Sequence, residues 1–215
     1  MDAENFLYKL KSILAFQDLS DRLREVEGYL LDIQAYALMA LANEGPGCGA
    51  IVEIGSFKGR STCCLALGAM SACREKVYAV DHFQGSPEHQ KGETCETREL
   101  VETGTTYPAF LENIRKVGVA SQVEAIRAPS AEAARQWSGP IRLLFIDGDH
   151  SYEASKLDFE SWAPFVVPGG IVVFHDIGHF VGVTDFFREL VSTAPNYKQV
   201  VDICGMVVVE KVAPD

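Results

Sequence analysis

Apolar residues recur at helical spacing through the first 43 positions, first as Phe6, Leu7, Leu10, Ile13 and Leu14. A second such pattern lies between Asp21 and Asn43, around Leu30, Leu31 and Leu38. The run Asn43-Glu-Gly-Pro-Gly-Cys-Gly then interrupts the period. From residue 50 onward the texture changes. Short, nearly continuous, β-rich apolar runs occupy 50–54, 77–80, 123–126, 141–146 and 171–174. Helical stretches lie between and after them, at about 60–72, 107–117, 130–137, 153–165 and 181–192. Strands this apolar, alternating with helices, predict a parallel sheet covered on both faces, a doubly wound α/β arrangement.

The last two runs, 199–203 and 206–209, are separated only by Cys204-Gly205, which predicts an antiparallel hairpin closing the sheet edge. The expected division is a helical cap over 1–43 and one α/β unit over 44–215. Residues 82–106 are polar, contain glycine and show no clear period, as in a lid or substrate loop. Trp137 and Trp162 are expected in the core, and Tyr152 either in a substrate wall or packed at a helix start.

Composition narrows the function. The 215 residues are 47% hydrophobic and 23% charged, with a net charge of −11. That excludes a disordered chain, and because no basic patch stands out, nucleic acid is not an expected partner. No apolar run approaches the ~20 residues that span a bilayer, and charges interrupt the N-terminus, so neither a membrane segment nor a secretory signal is expected. Six cysteines without a Cys-x-x-Cys pair or zinc spacing predict a reduced, cytoplasmic protein.

In open α/β sheets, ligands bind beyond the carboxyl ends of the strands. The first strand runs into Glu53-Ile-Gly55-Ser56-Phe57-Lys-Gly59-Arg-Ser61-Thr62. A dinucleotide loop wants a glycine where Phe57 stands, and a phosphate-binding P-loop wants one more residue and a lysine where Arg60 stands. A third reading is S-adenosylmethionine, which carries an ammonium and a sulfonium but no phosphate. Glu53 suits a cationic amino-acid head, Gly55 and Gly59 let the loop turn under a ligand, and Ser56, Ser61 and Thr62 offer donors. Asp81 ends the second strand, 26 residues after Gly55, where a carboxylate can accept ribose hydroxyls.

A second constellation follows the fourth and fifth strands. Ile146-Asp147-Gly-Asp149-His150-Ser-Tyr152 and Phe174-His175-Asp176 put carboxylates and imidazoles at neighbouring strand ends. Such a rim can hold a divalent metal or supply a general base.

The runs VEIGSFKGRST, VDHF, LLFIDGDHSYE, PGGIVVFHDI and GVTDFFREL, in that order over about residues 48–210, resemble the class I S-adenosylmethionine-dependent methyltransferases. The similarity is closest to the branch with macrolide-sugar and cephalosporin-biosynthesis O-methyltransferases. It implies a Rossmann-like fold with a seven-stranded, mostly parallel sheet, one antiparallel strand and added N-terminal helices. It also implies a cofactor set of Glu53, Gly55, Ser56, Phe57, Gly59 and Ser61 around the methionine moiety. Asp81 and His82 would lie at the ribose, Ser130 at the adenine (with Pro129 where an acidic neighbour is usual), and Asp147 at the rim. The metal ligands implied are Asp147, His175 and Asp176; a histidine in place of an oxygen ligand points from magnesium toward manganese. His150, three residues after Asp147, matches the catalytic base. The expected reaction is O-methylation of a small-molecule hydroxyl, sugar or secondary metabolite, by a chain that could dimerise through its N-terminal helices. The competing readings are an NAD-type oxidoreductase and a non-catalytic nucleoside-binding module.

Overall fold

The computed structural model describes residues 3–213, and the side chains of residues 3–7, 9 and 10 lie outside its description. Seven strands, β1 (Ala50–Ile54), β2 (Val77–Asp81), β3 (Val123–Arg127), β4 (Ile141–Ile146), β5 (Val166–Phe174), β6 (Tyr197–Ile203) and β7 (Met206–Lys211), form one sheet. Their order is β3-β2-β1-β4-β5-β7-β6. The first five strands are parallel, and β7 runs antiparallel to both β5 and β6. The predicted hairpin is therefore real but folded inward: β7 fills the place beside β5, and β6 is the edge.

Among the described residues, eight α-helices surround the sheet: α1 (Ala3–Leu23), α2 (Asp32–Glu44), α3 (Arg60–Ser71), α4 (Arg98–Thr103), α5 (Tyr107–Val117), α6 (Ser130–Arg135), α7 (Tyr152–Trp162) and α8 (Val181–Thr193). Every residue of β4 is buried, as a strand covered on both faces must be. One face packs Ile51, Leu143, Phe145 and Val173 against α2, α3 and α5 through Leu38, Leu65 and Phe110. The other packs Val52, Leu144, Val172 and Phe174 against α6, α7 and α8 through Ala133, Trp162 and Phe186. Trp162 is fully buried, and Trp137 lies against it at 5.6 Å, so both indoles serve the core. Cys63 and Cys64 are buried, reduced thiols of the first core.

The structure departs from the sequence pattern in three places. The second helical pattern does not run unbroken from Asp21; residues 24–31 form a turn, and α2 begins at Asp32. In α1, Ile13 and Leu14 are about two-thirds exposed, while Leu19 and Leu23 are buried; Phe6, Leu7 and Leu10 have side chains outside the described part. Residues 82–106 are partly ordered, with a 3-10 turn at Pro87–His89 and the short helix α4. No described helix is long and apolar enough to cross a membrane.

At the amino end of the sheet, Arg142 joins the layers. Its guanidinium is buried, pairs with Glu75 at 2.9 Å, and donates to the carbonyls of Leu41 and Ala42 in the last turn of α2. The Leu41 carbonyl also accepts the Gly45 amide at 2.9 Å, whereas the Ala42 carbonyl faces Pro46, which has no N–H to offer, so the arginine completes the C-terminal cap of α2. Replacing Arg142→Met removes the Glu75 pair, although Arg74 still reaches that carboxylate at 3.3 Å, and leaves the Ala42 carbonyl buried without a donor, so it should cost about 1–3 kcal/mol in urea unfolding. A loss within about 0.5 kcal/mol, the level of an ordinary surface substitution, would contradict this role.

Candidate functional site

At the opposite end of the sheet, backbone hydrogen bonds continue the ladder one residue past each strand. The Gly55 amide donates to Val80, Asp147 to Ile54, and His175 to Ile146. Those three bonds set the end of β2, the loop after β1, and the ends of β4 and β5 in one row. Gly55 has φ +84°, and a Cβ there would sit 2.0 Å from the Asp147 carbonyl oxygen. Its glycine is required by this contact as much as by its turn.

A cavity of about 420 Å³ opens over this row, a size suited to a small-molecule ligand. Of the residues expected around a cofactor, Gly55, Ser56, Phe57, Ser61, Asp81, His82, Ser130 and Asp147 line it. Glu53 and Gly59 do not. Glu53 is fully buried behind the loop, where Ser56 Oγ (2.7 Å) and Thr62 Oγ1 donate to its Oε2. Ser56 and Thr62 thus turn their hydroxyls inward to the carboxylate rather than outward to a ligand. Gly59 faces Phe110 of α5; the small residue there serves packing. Tyr152 also stands off the cavity, its hydroxyl on Glu189 and its ring against Phe186.

Asp81 organises the loop. Its Oδ2 accepts the amides of Ser56 (2.9 Å) and Phe57 (2.8 Å), and its Oδ1 accepts that of Phe83 (2.6 Å). A carboxylate has about four lone-pair positions, so these three donors leave room for a further hydroxyl. The Phe57 amide bond helps hold that residue at φ 48°, a conformation unusual for a bulky side chain. Its ring stacks on His89 at 4.9 Å, and His89 on Tyr29 at 5.7 Å. This aromatic tier roofs the cavity, and neither Tyr29 nor His89 was signalled by any sequence pattern.

The second constellation converges as a cluster. Asp147 Oδ1 lies 3.0 Å from His175 Nδ1, and Asp176 Oδ2 lies 3.3 Å from that nitrogen and 3.1 Å from His150 Nε2. His150 stacks on Phe180 at 4.1 Å, and its Nδ1 meets Glu88 Oε1 at 2.9 Å. Glu88 was missed by the sequence reading because it sits in the aperiodic 82–106 segment. His150 Nε2, though near Asp176, is buried without a well-directed hydrogen bond. Burial alone would lower both imidazoles, but the Asp147 and Asp176 carboxylates outweigh it and push each up to about 10. Asp176 is correspondingly held well below the usual carboxylate range by the two histidines, against the pull of burial.

Asp147, His175 and Asp176 offer ligand atoms within 4.8 Å of one another. Two carboxylate oxygens and one imidazole nitrogen fit a borderline divalent ion such as manganese better than magnesium, which favours oxygen alone. Asp149, by contrast, turns its Oδ1 to the Ser151 amide at the start of α7 and takes no part in the cluster.

Glu53 yields a test of the burial argument. Burial raises its pKa to about 7, only partly offset by the hydroxyl donors. The folded value exceeds the unfolded one, so its contribution to stability is present below about pH 4.5 and lost as the pH rises through about 7. Glu53→Gln should therefore be more stable than the parent above pH 7, by about 3 kcal/mol, with the advantage gone below pH 4.5. Urea unfolding at pH 4 and pH 8 measures this; an equal effect at both would refute it.

Comparisons with known proteins bear on the same region. The family model described as "Methyltransferase domain" matches residues 52–177. A protein of Sinorhizobium fredii described as "Uncharacterized protein y4gI" is 31% identical over 152 residues, covering 68% of this chain and 15% of that one. The chain thus spans about 15% of the length of this curated relative. Among solved structures, the O-methyltransferase from Bacillus cereus in complex with SAH superposes with a TM-score of 0.63 at 19% identity, covering 91% of each chain. CalS11, titled a TDP-rhamnose 3'-O-methyltransferase of calicheamicin biosynthesis, superposes at 0.57 and 17% identity, covering 98% of this chain and 86% of its own. At these identities the likeness establishes the fold, with its seven-stranded, mostly parallel sheet.

Proposed function

Because the chain belongs to the methyltransferase-domain family, matched over residues 52–177, we propose that it transfers the methyl group of S-adenosylmethionine to a hydroxyl of a small-molecule acceptor. The observation that carries this reading is the continuity of one cavity from Asp81 and the Gly55–Phe57 turn to His150 and Asp176. A sulfonium donor is already electrophilic, so the protein's task is to align donor and acceptor and to remove one proton.

Asp81 accepts ribose hydroxyls with the capacity its three backbone donors leave, and His82 borders it. Gly55, Ser56, Phe57 and Ser61 wall the methionine moiety, and Ser130 bounds the adenine end. Glu53 acts from beneath the loop, as a buried carboxylate whose Oε1 has no hydrogen-bond partner among the described residues. Phe57 and the acid at 53 disfavour a pyrophosphate, which separates this reading from an NAD-linked oxidoreductase. His150 is the base. Glu88 holds Nδ1; the charges of Asp147 and Asp176 keep His150 protonated, and once those charges are offset by a bound cation, Nε2 is free to take the acceptor's proton. Asp147, His175 and Asp176 would hold a divalent cation, whose chemistry when bound is to acidify and orient the acceptor hydroxyl.

The cavity also bears on the acceptor. Seven carboxylates line it (Glu27, Asp81, Glu88, Asp147, Asp149, Asp158 and Asp176) against one arginine and the imidazoles of His150 and His175, whose charges Asp147 and Asp176 already match. The arginine, Arg60, is committed to the Leu23 and Val26 carbonyls and to Asp32. A phosphorylated acceptor would meet like charge, so an uncharged sugar or secondary metabolite fits better than a nucleotide-linked one. Tyr8, Ile13 and Leu14, exposed on α1, are where a second copy would pack.

Three measurements test these assignments. In calorimetry, S-adenosylhomocysteine should bind and NAD should not; the reverse would remove the proposed function. His150→Ala should lower turnover at least ~100-fold, the usual scale of general-base catalysis, with S-adenosylhomocysteine affinity nearly unchanged. Exhaustive chelation should depress turnover and added manganese restore it, whereas full activity after chelation would dismiss the metal.

A further inference from the structure

His175 turns its two ring nitrogens to different surroundings. Nδ1 faces the Asp147 and Asp176 carboxylates, and Nε2 points away from the cavity to Gln34 Oε1 at 3.2 Å. Gln34 lies on α2, outside the span matched by the family model. It is buried, at 3% exposure. The direction of its amide follows from its other partners. Its Nε2 donates to the carbonyls of Ile203 (3.2 Å) and Cys204 (3.0 Å), which can only accept. Its Oε1 accepts the amide of Leu31 at 3.0 Å. A flipped amide would set oxygen against two carbonyl oxygens and nitrogen against an N–H, breaking three hydrogen bonds at once. With Oε1 fixed as an acceptor, the contact to His175 is a hydrogen bond only if the imidazole Nε2 carries the hydrogen.

We propose that Gln34 is a positioning residue that keeps the hydrogen on His175 Nε2, so that Nδ1 is the nitrogen that gives up its proton and presents a lone pair beside Asp147 and Asp176 when a divalent cation binds, and the site selects manganese over magnesium. This rests on the reading that the rim holds a divalent cation. A ligating imidazole commonly donates its other N–H to a fixed acceptor, which sets both ring orientation and tautomer. Here that acceptor comes from the N-terminal helices, and the same amide holds the turn between β6 and β7 through Ile203 and Cys204. The metal preference follows from the donor set: a nitrogen ligand favours a transition ion, while magnesium favours oxygen.

The test uses the full chain and the metals alone. Binding of Mn²⁺ and Mg²⁺ is measured by calorimetry for the wild type, Gln34→Leu, His175→Asp and the double variant, alongside S-adenosylhomocysteine affinity. The wild type should bind one Mn²⁺, at least about tenfold more tightly than Mg²⁺. Gln34→Leu should weaken Mn²⁺ by about 10- to 100-fold, the usual effect of removing such a partner, with S-adenosylhomocysteine affinity changed less than about twofold. His175→Asp should abolish the preference for Mn²⁺, and in that background Gln34→Leu should have little further effect. Failure of the wild type to bind Mn²⁺ would overturn the cation reading and this inference together. Wild-type binding that Gln34→Leu leaves unchanged, or weakens equally with His175→Asp present, would overturn the positioning role alone. A measurement on the wild type also decides the case where a variant does not fold. Bound Mn²⁺ should show hyperfine coupling to ¹⁵N-labelled histidine, and a spectrum without it would overturn the proposal.

Discussion

The site depends on the close approach of two strand ends, where Gly55 after β1 meets the backbone of Asp147 after β4. With no side chain at 55, the Asp147 amide reaches the Ile54 carbonyl at 2.8 Å and the ladder extends beyond the formal strands. The bonds from Gly55 to Val80 and from His175 to Ile146 continue it on either side. Asp81, the glycine turn, Asp147 and His175 are therefore placed by main-chain hydrogen bonding, the least adjustable part of a fold. A functional side chain one residue beyond a buried parallel strand inherits that strand's rigidity. This is why the candidate groups gather at the carboxyl ends of β1, β2, β4 and β5, while the half-exposed edges β3 and β6 carry none of the clustered carboxylates and imidazoles.

The sheet carries opposite electrostatic tasks at its two ends. At the amino end of β4, Arg142 is paired with Glu75 and satisfied by helix carbonyls, a closed arrangement that holds layers together. At the carboxyl end of the same strand, Asp147 belongs to a cluster of two carboxylates and two imidazoles that is only partly closed. Buried polar groups without full partners are costly, and proteins keep them chiefly where a ligand completes them. Among the described residues, Glu53 Oε1 is buried without a hydrogen-bond partner behind the glycine turn, and His150 Nε2, 3.1 Å from Asp176, is buried without a well-directed one beside the cavity.

Much of this was legible in the sequence because strand ends announce themselves. Continuous apolar runs located β1 to β5, and the residues just past them were Asp81, Asp147 and His175, all of which line the cavity. The two-residue Cys204-Gly205 link located the hairpin, although not that β7 would lie inside β6. Glu53 and Gly59 were legible as members of the loop but not in their orientation. Whether a loop residue faces a ligand or its own scaffold depends on what packs behind the loop, here Thr62 of the following helix for Glu53 and Phe110 of α5 for Gly59. Gln34 was least legible. A single glutamine on a helix carries no periodic signal, and its partners lie 141 and about 170 residues away.

Those less legible residues share a location. Glu27, Tyr29, Glu88 and His89 come from 24–31 and 82–106, segments without a hydrophobic period, and they form the outer wall of the cavity. Reactive groups thus sit on strand ends and the enclosure sits on irregular chain, the division expected when one scaffold serves different acceptors. The two segments are not independent. Tyr29 of one stacks on His89 of the other, and both rings lie against Phe57 of the glycine turn. Glu88 follows directly before His89 and reaches His150. The path from the wall to the proposed base is therefore one aromatic tier and one hydrogen bond, so a wall that contacted an acceptor would also set the ring proposed to deprotonate it.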